Sequence, residues 1–250
     1  MDLNHVVPES DTVRVYQARD RRVELKFILP KALSNSVRNW AKERMDPDPH
    51  CQTFPSDSYE IHTLYLDTSS LDIYRKTGVA GLTKHRLRCY GNESNIWVET
   101  KRKKNNIVLK KRSTISAEEL EFIHQPHSAE SLWTGAWFQQ RVLQKNLQPT
   151  ALVHYQRFAQ TARHQNRTIR LTIDSQLTGC RSSLWEVPNR APRWTSLSPE
   201  IEILELKFHN VLPPLFKKLL LEFPILSTGF SKYRTVMAAS ECIASQPASL

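Results

Sequence analysis

The sequence predicts an antiparallel α+β fold, and two observations support this. Short runs in which charged and apolar residues alternate recur along the chain, which is typical of strands with one polar and one apolar face. These runs are grouped into consecutive strands with helices between the groups. A doubly wound parallel sheet would instead alternate one strand with one helix.

The run HRLRCYG at residues 85–91 shows the alternation clearly, because Arg86, Arg88 and Tyr90 share one face and Leu87 and Cys89 the other. Six more runs follow the same pattern: RVELKFI at 22–28, WVETKRK at 97–103, IVLKKRS at 107–113, HYQRFAQ at 154–160, TIRLTID at 168–174 and ILELKFH at 203–209. An open sheet with one solvated face explains the pattern. A closed barrel with a polar interior, packed on helices outside, explains it equally well.

The boundaries of the elements follow from local signals. Pro30 ends the first strand, the prolines of residues 45–58 mark a loop, and NES and KNN provide turns. Ser116 and Glu119 have the spacing of a capping box and open a short helix at 117–124. Strands are predicted at 22–29, 59–67, 82–90, 95–103, 107–115, 151–161, 167–175 and 200–208, and further helices at 31–43, 131–145, 213–223 and 231–243. Residues 179–199 are predicted to form a loop.

The composition is that of a globular protein with an anionic partner. Hydrophobic residues make up 40% and charged residues 24%, and the formal net charge is +10. Such a charge favours nucleic acid, an acidic membrane surface or phosphate chains. With only 6 glycines and no glycine-rich nucleotide motif, a phosphate-cradling loop is not expected.

The cysteines predict a reducing compartment. Cys51, Cys89, Cys180 and Cys242 are widely separated and form no metal-binding motif, so we expect reduced thiols and a cytoplasmic protein. We expect no signal peptide and no transmembrane segment, because lysines, a glutamate and prolines interrupt the most apolar stretch, PPLFKKLLLEFPIL.

A barrel with a polar interior would have a strongly basic lumen. Like charges at that spacing repel one another, so such a site requires anions. Arginine binds phosphate oxygens in bidentate fashion, and lysine acts as a mobile point charge. Four carboxylates in phase with the cations could balance the field or hold a divalent metal: Glu24, Glu99, Asp174 and Glu205. The expected occupant is a metal-bound triphosphate or a longer phosphate chain.

Eight segments in order resemble the VTC domain, the polyphosphate polymerase domain of the vacuolar transporter chaperone family within the triphosphate tunnel metalloenzyme superfamily. They are ELKF at 24–27, IHTLYLD at 61–67, HRLRCYG at 85–91, VETKRK at 98–103, YQRFA at 155–159, RLTIDSQL at 170–177, LELKF at 204–208 and FSKYR at 230–234. The resemblance implies a closed eight-stranded antiparallel barrel, a triphosphate tunnel with a basic lumen covered by helices. It places the tunnel domain at residues 21–243, with tails at 1–20 and 244–250.

The resemblance also implies an activity, in which ATP with Mn²⁺ or Mg²⁺ donates its terminal phosphoryl group to a growing polyphosphate. The expected catalytic residues are Lys26, Arg86, Arg88, Lys101 and Arg157. The expected phosphate-binding residues are Lys110, Arg112, Arg170, Lys207, Ser231 and Lys232. Glu205 is the expected metal ligand, and Lys103 is a further candidate for the lumen. Pyrophosphate or polyphosphate is the expected second ligand, and the need for a membrane partner or an activating subunit stays open.

Two other classes of function remain. A tunnel triphosphatase or adenylyl cyclase carries E-x-E-x-K on its first strand, whereas this chain has Arg22 in the first acidic position. Without that acid, a two-metal hydrolase is less favoured. A nonenzymatic polyphosphate- or nucleic-acid-binding module would also be basic. Nucleic acid is disfavoured, because the cations alternate along strands that also carry acids and do not form an open stripe.

Overall fold

The structure, a computed structural model, describes residues 22–51, 57–91, 93–104, 107–125, 133–188, 195–197 and 200–244. At 103, 104, 107, 108, 195, 196 and 241–244 it describes the backbone alone. The predicted tail at 1–20, all but the first residue of the predicted tail at 244–250, the side chains of Lys103 and Cys242, and part of the predicted loop at 179–199 therefore lie outside the described residues.

The described residues form an α+β domain dominated by one antiparallel sheet, as predicted. Its strands are β1 (Arg22–Pro30), β2 (Asp46–Pro47), β3 (Ser58–Asp67), β4 (Thr83–Tyr90), β5 (Ile96–Lys104), β6 (Ile107–Ile115), β7 (Gln148–His164), β8 (Arg167–Arg181), β9 (Thr195–Ser196) and β10 (Ile201–His209). Its helices are α1 (Lys31–Lys42), α2 (Asp72–Arg75), α3 (Ala136–Lys145), α4 (Pro214–Glu222) and α5 (Lys232–Ala244). Strands β7 and β8 begin or end several residues beyond their predicted bounds.

The long strands follow the order β1-β10-β8-β7-β3-β4-β5-β6, with β2 beside β7 and β9 beside β8. The prediction of a closed barrel is wrong, because no backbone pairing joins β1 to β6 in the described part of the chain. The two end strands approach within 8 Å between Cα atoms. Both carry cations on the inner face, and like charges on neighbouring strands oppose pairing. A side-chain ion pair spans the gap instead, from Lys101 Nζ on β5 to Glu24 Oε2 on β1 at 2.8 Å.

The core lies outside the curved sheet, between the apolar faces of the strands and the helices. Helices α1 and α4 pack on β1, β8 and β10 through residues such as Trp40 and Phe216. Helices α3 and α5 pack on β3, β4, β5 and β7 through residues such as Phe138 and Val236. With its apolar face covered in this way, the sheet turns its alternating charged side chains to the inside, which agrees with the polar interior and not with the outward solvated face that the pattern also allowed.

Two local features are defined by hydrogen bonds. The capping box is confirmed, since Ser116 N donates to Glu119 Oε2 at 2.7 Å and Glu119 N donates to Ser116 Oγ at 3.3 Å. The turn it opens is a 3₁₀ helix at Glu118–Ile123. Asp67, the last residue of β3, has a structural role. Its carboxylate accepts bonds from the N–H of Ile73 and Tyr74 and from the hydroxyl of Tyr233.

Cys51, Cys89 and Cys180 carry free thiols, as expected. No helix among the described residues combines the length and the apolar character needed to cross a bilayer.

Candidate active site in a basic cavity

The concave face of the sheet encloses a cavity of ≈ 340 Å³. Among the described residues that line it, twelve of twenty are lysine or arginine, and two are acidic, Glu24 and Glu205. All twelve of the site residues predicted from the sequence border this cavity. The structure therefore brings the predicted residues together, and their individual roles stay predictions.

A buried carboxylate organises the cations of β4 and β6. Glu99 is 0% exposed, and its Oε2 accepts a bond from Arg86 Nε at 2.7 Å and lies 3.8 Å from Arg88 Nη1. Lys110 Nζ lies 2.5 Å from its other oxygen. Burial alone would raise the pKa of Glu99, but these three cations outweigh burial and hold the pKa far below its usual range. Glu99 thus stays ionised and positions three predicted phosphate ligands.

Asp174, a second buried carboxylate, positions cations on the opposite wall of the cavity. Arg157 donates to both oxygens of Asp174, with Nε to Oδ1 at 2.6 Å and Nη2 to Oδ2 at 2.8 Å. Lys232 Nζ, from the start of α5, lies 2.5 Å from Oδ2 and 4.4 Å from the centre of the Tyr155 ring. Because the guanidinium of Arg157 is held by a fork of two bonds, its position is fixed before any ligand arrives.

Strands β1 and β10 contribute the two carboxylates that face the cavity. Lys26 lies opposite Glu205, and Glu24 lies opposite Lys207, in the antiparallel register of these strands. Lys207 Nζ is 2.7 Å from Glu205 Oε1, and Lys26 Nζ is 3.8 Å from Oε2. Burial works to raise the pKa of Glu205, but the neighbouring lysines outweigh it and lower the pKa well below its usual value.

The two carboxylates are also close enough to affect each other, since burial and, after it, Glu205 act to raise the pKa of Glu24. The lysines still lower the net pKa of Glu24. Two ionised carboxylates on neighbouring strands, facing a cavity, form an oxygen donor set of the kind that Mg²⁺ or Mn²⁺ takes together with water and phosphate. These residues therefore fit a divalent metal, with Glu24 joining the predicted ligand Glu205.

The remaining predicted residues are held in place by neighbours at the cavity wall. Arg170 Nε lies 2.7 Å from Asp48 Oδ2, and Arg170 Nη2 donates to the hydroxyl of Tyr59 at 2.9 Å. The guanidinium of Arg112 lies 4.4 Å from the centre of the Trp97 ring. Ser231 Oγ accepts a bond from Lys84 Nζ at 2.9 Å.

Lys84 and four tyrosines line the cavity without having been assigned to the site from the sequence: Tyr59, Tyr65, Tyr90 and Tyr155. The available sequence signal for Lys84 is its position two residues before Arg86, in phase with the cations of β4. Burial alone would raise the pKa of Tyr65, but the cations around it, Arg86 above all, lower it to about 7. Burial lowers the pKa of Lys84 to about 8 and that of Lys207 to about 8. The charge of the cavity therefore changes near neutral pH.

The VTC domain family model matches residues 21–241. The chain belongs to the VTC domain family. No curated protein matches the sequence significantly.

Three solved structures are similar to this VTC domain. A putative adenylate cyclase from Bacillus halodurans has 13% identity and a TM-score of 0.47, over 85% of this chain and 94% of that chain. A putative adenylyl cyclase from Hippeastrum, described as having a dominant triphosphatase activity, has 13% identity and a TM-score of 0.45, over 88% and 96% of the two chains. A putative adenylate cyclase from Vibrio parahaemolyticus has 9% identity and a TM-score of 0.46, over 87% and 98%.

Proposed function

We propose that this VTC domain is a polyphosphate polymerase that transfers the terminal phosphoryl group of ATP to a polyphosphate chain within the basic cavity. The observation that carries the proposal is the cavity lining, in which twelve cations face two carboxylates in a chain of this family. A cavity of this charge suits polyphosphate, which carries a negative charge on every phosphate, because each phosphate can contact a different lysine or arginine.

The cations divide into rigid and mobile groups. Arg88 and Arg157 are 4% and 7% exposed, and each guanidinium is oriented by protein partners, Arg88 Nε by Thr63 Oγ1 at 3.2 Å and Arg157 by Asp174. These two fix the position of the triphosphate. The more exposed lysines, such as Lys26 and Lys101, follow the phosphates as they move.

The transfer needs alignment and charge neutralisation more than covalent help from the protein. A terminal oxygen of the polyphosphate forms a bond to the γ-phosphorus of ATP, while the bond from that phosphorus to the β–γ bridging oxygen breaks and ADP leaves. The attacking oxygen is already anionic at neutral pH, so no side chain has to remove a proton. Arg86 and Arg88 would offset the charge on the transferred group.

Glu205 and Glu24 would hold Mn²⁺ or Mg²⁺, which when bound would neutralise phosphate charge and orient the triphosphate. One or two protein carboxylates suffice for these ions, because phosphate oxygens and water complete the coordination. In the structure both carboxylates are paired with lysines, which keeps them ionised and oriented toward the cavity.

The lining argues against hydrolysis as the main reaction. A two-metal hydrolase activates water on ions that several carboxylates hold. Among the described residues, two carboxylates line this cavity. Arg22 also stands on β1 at the place of the first acid in the E-x-E-x-K pattern of tunnel hydrolases.

Incubation with ATP and Mn²⁺, followed by a gel stained for polyphosphate, tests the proposal. We expect polymer from the wild type and none from Arg88→Ala. The control Arg75→Ala, which removes an exposed arginine from α2, should retain activity. Free phosphate without polymer would instead identify a triphosphatase, and binding of polyphosphate without turnover would identify a binding module.

A further inference from the structure

Two histidines and a glutamate meet on the outer side of the sheet. Glu60 and His62 belong to β3, and His154 belongs to β7 directly opposite His62 in the register. Their ligand atoms all lie within 4.8 Å of one another. Glu60 Oε2 is 3.5 Å from His62 Nε2 and 3.9 Å from His154 Nε2, and the two imidazole rings are 4.6 Å apart.

This cluster is separate from the basic cavity. On β3 the side chains of Tyr59 and Tyr65 line the cavity, so Glu60 and His62, which alternate with them, face the other way. On β7 Tyr155 lines the cavity and its neighbour His154 faces outward. The thickness of the sheet therefore lies between the cluster and Glu205.

The spacing is close to that of a tetrahedral metal site. Zinc binds histidine nitrogen and carboxylate oxygen at about 2.0–2.2 Å, which puts neighbouring ligand atoms about 3.4 Å apart. The two distances from Glu60 exceed that value slightly, and the three ligand atoms all lie within 4.8 Å of one another. Metal binding therefore requires rotation of the exposed Glu60 side chain and a closer approach of the two imidazoles, which are 0% and 7% exposed.

We propose that Glu60, His62 and His154 form a binding site for Zn²⁺ or a similar divalent transition metal. Two imidazoles and one carboxylate suit these metals, whereas Mg²⁺ prefers oxygen ligands alone. The Nδ1 atom of His154 lies 3.5 Å from Thr178 Oγ1, so its Nε2 is the nitrogen turned to Glu60. A polar neighbour on the second nitrogen is the usual support for a metal-binding histidine.

A metal would reach the site from solvent at Glu60. Its side chain is 47% exposed, whereas both histidines lie beneath the surface. A metal bound here has three protein ligands and solvent at the fourth position. It joins β3 to β7 at the centre of the sheet, where it would stabilise the fold without contacting the phosphate cavity.

Zinc binding to metal-stripped protein tests the site. We expect one Zn²⁺ per wild-type chain, measured by equilibrium dialysis with metal analysis, and a rise in melting temperature that excess Mg²⁺ does not prevent. Glu60→Gln and His154→Gln should each weaken Zn²⁺ binding by at least about 10–100-fold, since loss of even an outer-shell partner has that effect. Glu60 is exposed, so its variant is expected to fold.

Two controls separate this site from others. Glu121→Gln removes an exposed carboxylate from the 3₁₀ turn, and Glu205→Gln removes the carboxylate of the cavity. Both should bind Zn²⁺ like the wild type. The proposal is overturned if the wild type binds no Zn²⁺, if Glu60→Gln and His154→Gln bind it as tightly as the wild type, or if Glu205→Gln abolishes binding.

Discussion

Replacing Glu99 with glutamine should destabilise the protein and at the same time make it more responsive to polyanions. The substitution keeps the shape of the side chain but removes the charge that faces Arg86, Arg88 and Lys110. Removing one partner of a buried ion pair costs about 3–5 kcal/mol, because an uncompensated charge remains in the interior. For a chain of 250 residues this corresponds to a melting temperature lower by about 6–20 °C.

Differential scanning fluorimetry with and without tripolyphosphate measures both effects. A ligand at 100 times its Kd stabilises the folded state by about 2.7 kcal/mol, so tripolyphosphate should recover much of the loss. The increase in melting temperature should be larger for Glu99→Gln than for the wild type and should shrink in high salt. Exposed Glu121→Gln is the matched control. Equal stability of Glu99→Gln and wild type, or a smaller response to tripolyphosphate, would refute the role of Glu99.

Three further predictions concern the cavity. Glu205→Gln should lower metal-dependent ATP turnover below about 1% of wild type. Tripolyphosphate without metal should bind about 10-fold tighter, because the substitution removes a negative charge from the cavity. Retained turnover would refute the metal assignment. Arg88→Ala should lose most of the thermal stabilisation by tripolyphosphate, and a response equal to that of Arg75→Ala would move the binding site elsewhere. Tripolyphosphate affinity should fall as pH rises from 6 to 9, because Tyr65 gains a negative charge near pH 7 and Lys84 and Lys207 lose positive charge near pH 8. In titration calorimetry Tyr65→Phe should remove the first step and keep the second, and an unchanged profile would contradict the assignment.

The inner face of the sheet was predictable because strand alternation is a local property. A residue's side of the strand depends only on its position in the run, so Arg86, Arg88 and Arg157 could be assigned to one face without knowing their partners. The pairing of strands is not local in this sense. The register of β3 with β7 shifts between Tyr65 and Leu66, and that of β7 with β8 shifts between His154 and Gln156. Such irregularities decide which charges meet, and alternation alone does not reveal them.

The prediction of a closed barrel was wrong for a related reason. The segments that resemble the family describe what each strand carries, and closure depends on whether the first and last strands of the order pair. Here β1 is joined to β5, the neighbour of β6, through Glu24 and Lys101, which lie 77 residues apart in the sequence. A long-range side-chain contact of this kind leaves no periodic signal.

The metal site shows most clearly what geometry adds to the pattern. Glu24, Glu99, Asp174 and Glu205 all alternate in phase with cations, so alternation alone offers no physical reason to prefer one of them as the metal ligand. In the structure Glu99 and Asp174 lie beneath the cations that they hold, at 0% and 2% exposure, and do not line the cavity. Glu24 and Glu205 line it on neighbouring strands. A hard cation that also binds phosphate needs carboxylates that line the cavity, so Glu24 and Glu205 are suited to the metal. Glu99 and Asp174, which lie behind the cations, are suited to orienting arginine and lysine.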